Sequence, residues 1–149
     1  MEIQLGDIGH IIQLAIAPVF LLTGVGTKLA VLTNRLARII DRSRVLEDRI
    51  GAAGMADMTL AFEELETLYR RARLINRAIT LSTSCGLFVC LVIVTLFMGD
   101  ALNLALAQWI ALLFVLGMLA LIGSFVYLLR EIFIATKTLS MRHLIAPKK

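Results

Sequence analysis

Three long apolar stretches constrain this chain more than any other feature of its sequence. They cover residues 8–33, 79–98 and 104–129, and the only Lys, Arg, Asp or Glu within them is Lys28, close to one end of the first. A chain needs about 20 predominantly apolar residues to cross the roughly 30 Å hydrocarbon core of a bilayer. Because lipid offers the backbone no hydrogen-bond partner, each stretch must be helical. The sequence therefore predicts an all-α integral membrane protein with three transmembrane helices.

Composition argues against the alternative of a soluble domain. Hydrophobic residues make up 59% of the 149 residues and charged residues only 17%, whereas soluble domains are typically about 45–50% apolar and about 25% charged. A soluble domain of this length has too much surface to hide so many apolar side chains. The net charge of +4 does not indicate a nucleic-acid partner, because the arginines lie next to the apolar stretches, where they fix orientation and meet anionic lipid.

The distribution of cations predicts the orientation in the membrane. Nine arginines lie between residues 34 and 78 and five Lys or Arg residues follow the third stretch, whereas residues 1–7 and 99–103 contain none. By the positive-inside rule, the N-terminus and the 99–103 turn face outward. The predicted organisation has four parts: an N-terminal outside segment with the first transmembrane helix at 1–33, a cytoplasmic helical hairpin at 34–78, a transmembrane hairpin at 79–129 and a basic cytoplasmic C-terminal segment at 130–149.

The 34–78 segment has the pattern of two antiparallel helices. Seam residues recur at alternating spacings of three and four on both sides of a glycine-containing turn at 51–54, which is typical of coiled-coil packing. The predicted seam comprises Leu36, Ile39, Ser43, Leu46 and Ile50 before the turn, and Ala61, Leu65, Leu68, Ala72, Ile75 and Ile79 after it.

Folding about this turn also predicts charge pairs across the hairpin. It brings Arg42 near Glu63, and Arg38 near Glu66 or Thr67. Exposed ion pairs of this kind contribute about 0.2–1 kcal/mol each, so we expect them to set the register more than the stability. The same charges, together with Asp41, are also suited to pairing between neighbouring hairpins in an oligomer.

Closer to the membrane the hairpin is purely cationic. Four arginines before the second stretch are expected to contact anionic lipid headgroups: Arg70, Arg71, Arg73 and Arg77. The predicted fold also brings Arg35 close to Arg70 and Arg71. We expect lipid phosphates, or acidic groups of another subunit, to lie between these like charges.

The first apolar stretch carries a stripe of small and polar residues. On a helical wheel they fall within a sector of about 60°, with Thr27 further along the same path. The stripe contains His10, Gln13, Ala17, Gly24, Lys28 and Arg35. One interpretation is close helix packing, with His10 and Lys28 reaching opposite interfaces. The other is a pore with a weak preference for anions. We favour packing.

Nothing in the sequence predicts catalysis or metal binding. It contains no P-loop, GxSxG or HExxH motif and no pair of carboxylates inside an apolar stretch. His10 and His143 are predicted on opposite sides of the membrane, which argues against a metal site within one chain. Cys85 and Cys90 lie about 140° apart on one helix, so they are not placed to bridge each other. We expect no catalytic residue, no cofactor and no enzymatic activity.

Two runs resemble a known family signature. They are Ile12–Gly26, which contains Ala-Pro-Val-Phe, and Val31–Arg42, which contains Asn-Arg-Leu-Ala-Arg. They resemble the small bacterial membrane family catalogued as domain of unknown function twenty-seven twenty-one, and the resemblance covers nearly the whole chain. It implies a three-pass protein of the bacterial inner membrane. It implies no activity, substrate or catalytic residue.

Two functions fit these observations. The favoured one is a homo-oligomer that acts as a structural or accessory membrane component, assembling or docking another membrane complex through its cytoplasmic hairpin. The alternative is a homo-oligomeric ion channel lined by the first transmembrane helix. Both need a second copy to cover the stripe, and they differ in whether the covered stripe is dry or lined by water.

Overall fold

Three long helices make up the chain in the computed structural model, which describes residues 5–51, 55–102 and 106–145. Helix α1 is Leu5–Ile50, α2 is Met55–Ala101 and α3 is Ala107–Ile145. Each contains a segment that is long and apolar enough to cross a membrane. The prediction of an all-α protein with three candidate membrane spans is confirmed.

The helices continue well past the ends of the apolar stretches. Helix α1 passes through Pro18 and runs on to Ile50, and α2 begins at Met55, long before its apolar stretch. At 1.5 Å per residue, the 46 residues of α1 extend about 69 Å, more than twice the hydrocarbon core. Helix α2 also includes Gly99 and Asp100, so the predicted turn at 99–103 begins later than expected. Residues 52–54, in the first predicted turn, lie outside the described residues, as do residues 103–105, at and just after the end of the second.

Contacts divide the chain into two compact units. The first contains Met1–Ala30 and Thr80–Gly123, and the second contains Val31–Ile79 and Ser124–Lys149. Each unit thus draws on all three helices. We call them the span unit and the hairpin unit.

In the span unit, small residues on α2 and α3 allow close packing. Val25, Cys85 and Val89 are buried together. A Cβ built on Gly123 would lie 3.1 Å from Leu81 Cδ1, and one built on Gly117 would lie 3.4 Å from the Cβ of Phe88. Glycines at these positions let helix backbones approach, which is the usual packing mode within membranes.

The hairpin unit has an apolar core with the predicted heptad spacing. Leu32, Ile39 and Leu46 recur every seven residues along α1 and are buried with three residues of α2: Leu68, Ile75 and Ala78. Partly buried residues around them are Leu36, Ala61, Leu65, Ala72, Ile79, Tyr127 and Leu128. All six predicted seam residues of α2 therefore belong to this core or pack against it. Tyr127 and Leu128 of α3 pack against its side.

Truncation of Ile75 should destabilise the protein. Its side chain is 0% exposed, and Ile→Ala at such a site typically costs about 2–5 kcal/mol through lost burial and a residual cavity. We expect Ile75→Ala to lower the free energy of unfolding, measured by denaturant titration in detergent micelles, by about 3 kcal/mol. Ile40→Ala is the matched control on α1. Ile40 is 39% exposed, so its loss should cost less than about 1 kcal/mol. Equal losses would contradict the assigned core.

Candidate functional site

A buried carboxylate on α3 joins the three helices of the hairpin unit. Glu131 is 0% exposed. Its Oε2 accepts a hydrogen bond from Arg35 Nη1 of α1 at 2.7 Å, and its Oε1 accepts two from Arg71 of α2, from Nη2 at 2.7 Å and from Nε at 3.0 Å. We call Glu131, Arg35 and Arg71 the ionic triad. Each carboxylate oxygen has its own arginine.

This arrangement answers the main difficulty of a buried charge. An unpaired carboxylate in a protein interior is strongly destabilising, and pairing compensates only when good hydrogen bonds accompany it. Among the described residues, no buried side-chain nitrogen or oxygen lacks a hydrogen-bond partner. The arginine side chains remain 35% exposed at Arg35 and 25% exposed at Arg71, so each guanidinium group keeps an accessible outer edge while its inner edge binds Glu131.

Two further contacts hold the same face of α3 against α2. Ser124 Oγ, which is buried, donates a hydrogen bond to the carbonyl oxygen of Ala78 at 2.7 Å. The guanidinium of Arg77 lies over the ring of Tyr127, 5.9 Å from its centroid, within the range of a cation–π interaction. Ser124, Tyr127 and Glu131 are spaced three and four residues apart, so one stripe of α3 makes all three contacts.

Sequence reasoning missed Glu131, although it had a detectable signal. It is the only acidic residue after Asp100, and it directly follows Arg130 at the end of the third apolar stretch. An isolated carboxylate at an end of a span where cations are expected needs a cationic partner. The partners lie 96 and 60 residues away along the chain, so local spacing does not identify them.

The triad corrects the expectation for Arg35 and Arg71. Repulsion between these cations was expected to require lipid phosphates or another subunit's acidic groups. The acidic group is instead Glu131 of the same chain, 2.7 Å from both arginines. Arg71 is therefore not a free headgroup ligand, and Arg35 belongs to the hairpin unit's ionic contacts.

One predicted hairpin charge pair is shifted by one residue, and the other, Arg38 with Glu66, is not among the ion pairs of the described side chains. Arg42 binds Glu64, not Glu63, through Nη2 at 2.9 Å and Nε at 3.1 Å from Oε1. Arg38 Nε donates a long hydrogen bond of 3.4 Å to the carbonyl of Asn34 on its own helix. Glu63, like Glu66, lies on the exposed side of α2. The register of the two helices places Glu64, which is half-buried, closer to the seam.

Tyr69 makes a further contact between the two helices of the hairpin. Its hydroxyl donates a hydrogen bond to Glu47 Oε1 at 2.8 Å. On α1 Glu47 lies nearer the turn than Arg42, whereas on α2 Tyr69 lies further from the turn than Glu64, so this contact lies beside the Arg42–Glu64 pair. Sequence spacing did not predict it, because it depends on the exact register of the two helices.

The predicted stripe of α1 is largely open in the structure. Its exposed members are His10, Gln13, Ala17, Gly24 and Thr27, and its half-buried members are Lys28 and Arg35. Nothing lies within 4 Å of a Cβ built on Gly24. Lys28 lies within electrostatic range of the buried Cys85 of α2. Lys28 and Arg35 thus lie at the edge of the internal packing, and the other members of the stripe lie on the exposed surface of α1.

The remaining predicted headgroup arginines lie on the outside of α2. Arg70, Arg73 and Arg77 are exposed, and they line one groove together with Glu66 and Leu74. Within the described part of the chain, no group of three His, Cys, Asp or Glu residues is arranged to hold a metal ion.

The fold is all-helical, and its three helices are long and apolar enough to span a bilayer, as in a multi-pass membrane protein. The chain belongs to the family described as Protein of unknown function (DUF2721), whose sequence profile matches residues 15–141. The resemblance seen in the sequence is thereby confirmed. No curated protein and no solved structure matches the chain significantly.

Neutralising Glu131 should destabilise the hairpin unit. Glu131→Gln keeps the shape of the side chain but leaves two arginines partly buried without a counter-charge. Breaking one partner of a buried pair typically costs about 3–5 kcal/mol. Because both arginines are partly exposed, we expect the free energy of unfolding to fall by about 2–3 kcal/mol. The measurement is denaturant unfolding in micelles.

Glu63→Gln is the control for this change. It removes the same charge from the exposed side of α2, where surface substitutions usually stay within about 0.5 kcal/mol. If the two variants unfold alike, the triad does not stabilise the protein.

Proposed function

We propose that this protein is a self-assembling structural or accessory component of the bacterial inner membrane rather than an enzyme. In this proposal, copies associate through the open face of α1 in the membrane. The cytoplasmic hairpin, stiffened by the ionic triad, presents its outer charges to neighbouring copies or to another membrane complex.

The observation that carries the proposal is a contrast between glycines. Gly86, Gly117 and Gly123 on α2 and α3 are covered by side chains of the same chain, whereas Gly24 and Gly26 on α1 have nothing within 4 Å of a built Cβ. In membranes, helices associate where small residues let backbones approach. The internal packing has used Gly86, Gly117 and Gly123, whereas Gly24, which lies on the stripe, is available to a second copy.

The hydroxyl groups of α1 favour assembly over the channel alternative. Thr27 Oγ1 donates to the Thr23 carbonyl at 3.1 Å, and Thr23 Oγ1 donates to the Val19 carbonyl at 3.3 Å. These hydroxyls are satisfied within the helix and need no water-filled pore. Lys28, expected to face a pore in the channel alternative, is half-buried near α2. The exposed Gln13 and His10 are the residues that still support a water-lined path.

The orientation in this proposal has the N-terminus outside and the hairpin and C-terminus in the cytoplasm. The positive-inside distribution supports it, because the nine arginines of residues 34–78 would otherwise have to cross the membrane. The triad adds to this argument: Glu131, beyond the third apolar stretch, binds Arg35 and Arg71 of the hairpin. The start of the C-terminal segment and the hairpin are therefore on the same side.

Cysteine labelling tests this orientation. In a variant with Cys85 and Cys90 replaced by Ala, single cysteines are placed at Leu102 and Gly51, which are both exposed. A membrane-impermeant maleimide should label Leu102→Cys in intact spheroplasts and Gly51→Cys only after lysis. Labelling of Gly51→Cys from outside would invert the proposed topology.

Filling the open glycine face should weaken self-association. Gly24→Leu places a bulky side chain where the proposed neighbour packs, while the space around Gly24 within its own chain is empty. We expect association to weaken at least about tenfold. The measurement is energy transfer between donor-labelled and acceptor-labelled protein in vesicles, over a range of protein-to-lipid ratios.

Gly26→Leu is the matched control. Gly26 has the same open surroundings but lies about 160° away around α1, on the opposite flank of the internal face. It should leave association within about twofold of the original. An unchanged energy transfer in Gly24→Leu, or equal losses in both variants, would contradict assembly through the stripe.

A further inference from the structure

We propose that the groove lined by Glu66, Arg70, Arg73, Leu74 and Arg77 binds the phosphodiester group of an anionic phospholipid. This inference goes beyond self-assembly and does not depend on it. It assigns a ligand class to one face of α2.

The groove's arginines differ from the other hairpin arginines in their pairing. Arg35 and Arg71 bind Glu131, and Arg42 binds Glu64. In contrast, none of the three ion pairs among the side chains that the structure describes involves Arg70, Arg73 or Arg77. These guanidinium groups are exposed and collected on one side of one helix. Arginine binds phosphate oxygens with two parallel N–H donors, so three such groups form an anion site.

The end of the groove nearest the apolar stretch, at Arg77, lies at the depth of the headgroup layer of a bilayer, and Arg73 lies just beyond that layer, within reach of its phosphates. At 1.5 Å per residue, Arg77 lies about 3 Å and Arg73 about 9 Å along α2 from Ile79, where the apolar stretch begins. The headgroup layer extends roughly 5–7 Å beyond each side of the hydrocarbon core. Leu74 lines the groove between these arginines and offers an apolar surface to the upper part of a lipid. A free anion would gain nothing from this surface.

Two residues shape the site further: Arg77 is partly preorganised, and Glu66 makes one end of the groove acidic. Arg77 is already held over the Tyr127 ring, so less side-chain freedom is lost when it binds a ligand. Glu66 is the carboxylate of the groove, and it lies about 20 Å along the helix from Ile79. Its negative charge is thus at the end furthest from the membrane, where it does not compete with a phosphate near Arg73 and Arg77.

Lipid binding to the purified full-length chain tests the proposal. Native mass spectrometry in detergent counts bound molecules during titration with dioctanoyl phosphatidylglycerol, dioctanoyl phosphatidylcholine or inorganic phosphate. We expect phosphatidylglycerol to bind most tightly, because the choline cation is repelled by the arginines and inorganic phosphate lacks an acyl chain. For Arg73→Gln with Arg77→Gln, affinity should fall about fivefold per arginine, or about twenty-fivefold together.

The matched control removes the same charge elsewhere on the hairpin. Arg44 and Arg49 are exposed on α1 and do not line the groove, so Arg44→Gln with Arg49→Gln should change phosphatidylglycerol affinity less than about twofold. A second groove variant, Arg70→Gln with Arg73→Gln, leaves the Arg77–Tyr127 contact intact. It should also lose affinity more than the control, even if the first variant folds poorly.

Three results would overturn the proposal. Equal losses in groove and control variants would show general electrostatic attraction without a site. Inorganic phosphate binding as tightly as phosphatidylglycerol would make the groove a free-anion site. Dissociation of an oligomer in the groove variants, with lipid affinity unchanged, would mean that a second copy of the chain covers these arginines.

Discussion

A carboxylate with no access to solvent has to be paired, and Glu131 pairs with one arginine from each of the other two helices. The bonds of 2.7 Å to Arg35 and Arg71 are made in an environment where electrostatic attraction is stronger than in water. The side chains of Ser124, Tyr127 and Glu131 lie on one face of α3. They make, in turn, a buried hydrogen bond, a cation–π contact and the two ion pairs. All of these contacts therefore specify the same rotation of α3 in the hairpin unit. A shift by one residue would turn this face away.

The fold was largely predictable because its signals are local. Uninterrupted hydropathy predicts the three spans, and alternating spacings of three and four predict the seam that contains Ile39, Leu46, Leu68 and Ile75. Register was not predictable to one residue, since it depends on how many residues the turn takes up. Arg42 therefore binds Glu64 instead of Glu63. The triad was missed because contacts across 96 and 60 residues leave no periodic pattern.

The triad also separates the arginines of the hairpin into two kinds. Arg35, Arg42 and Arg71 bind carboxylates within the chain, and their substitution acts on folding. Arg70 and Arg73, which are exposed on α2, are in none of these ion pairs. The positive-inside rule alone does not separate these two kinds, because it assigns every arginine of the hairpin to contact with lipid headgroups. The structure distinguishes Arg71 from its neighbours Arg70 and Arg73, because adjacent positions on a helix point about 100° apart.

Because Arg35 and Arg71 form their ion pairs within one chain, the proposed self-assembly does not have to supply their counter-charge. If Arg35 and Arg71 needed another subunit's acidic groups, association and hairpin folding would be one event. Since Glu131 supplies the counter-charge, the hairpin unit needs no second copy to neutralise its arginines, and the proposed association would use only the exposed face of α1. Between helices in lipid the hydrophobic effect contributes little, and close packing at small residues such as Gly24 provides the attraction. Under the proposed assembly, association through that face would strengthen or weaken with the surrounding lipid while the triad keeps the hairpin folded.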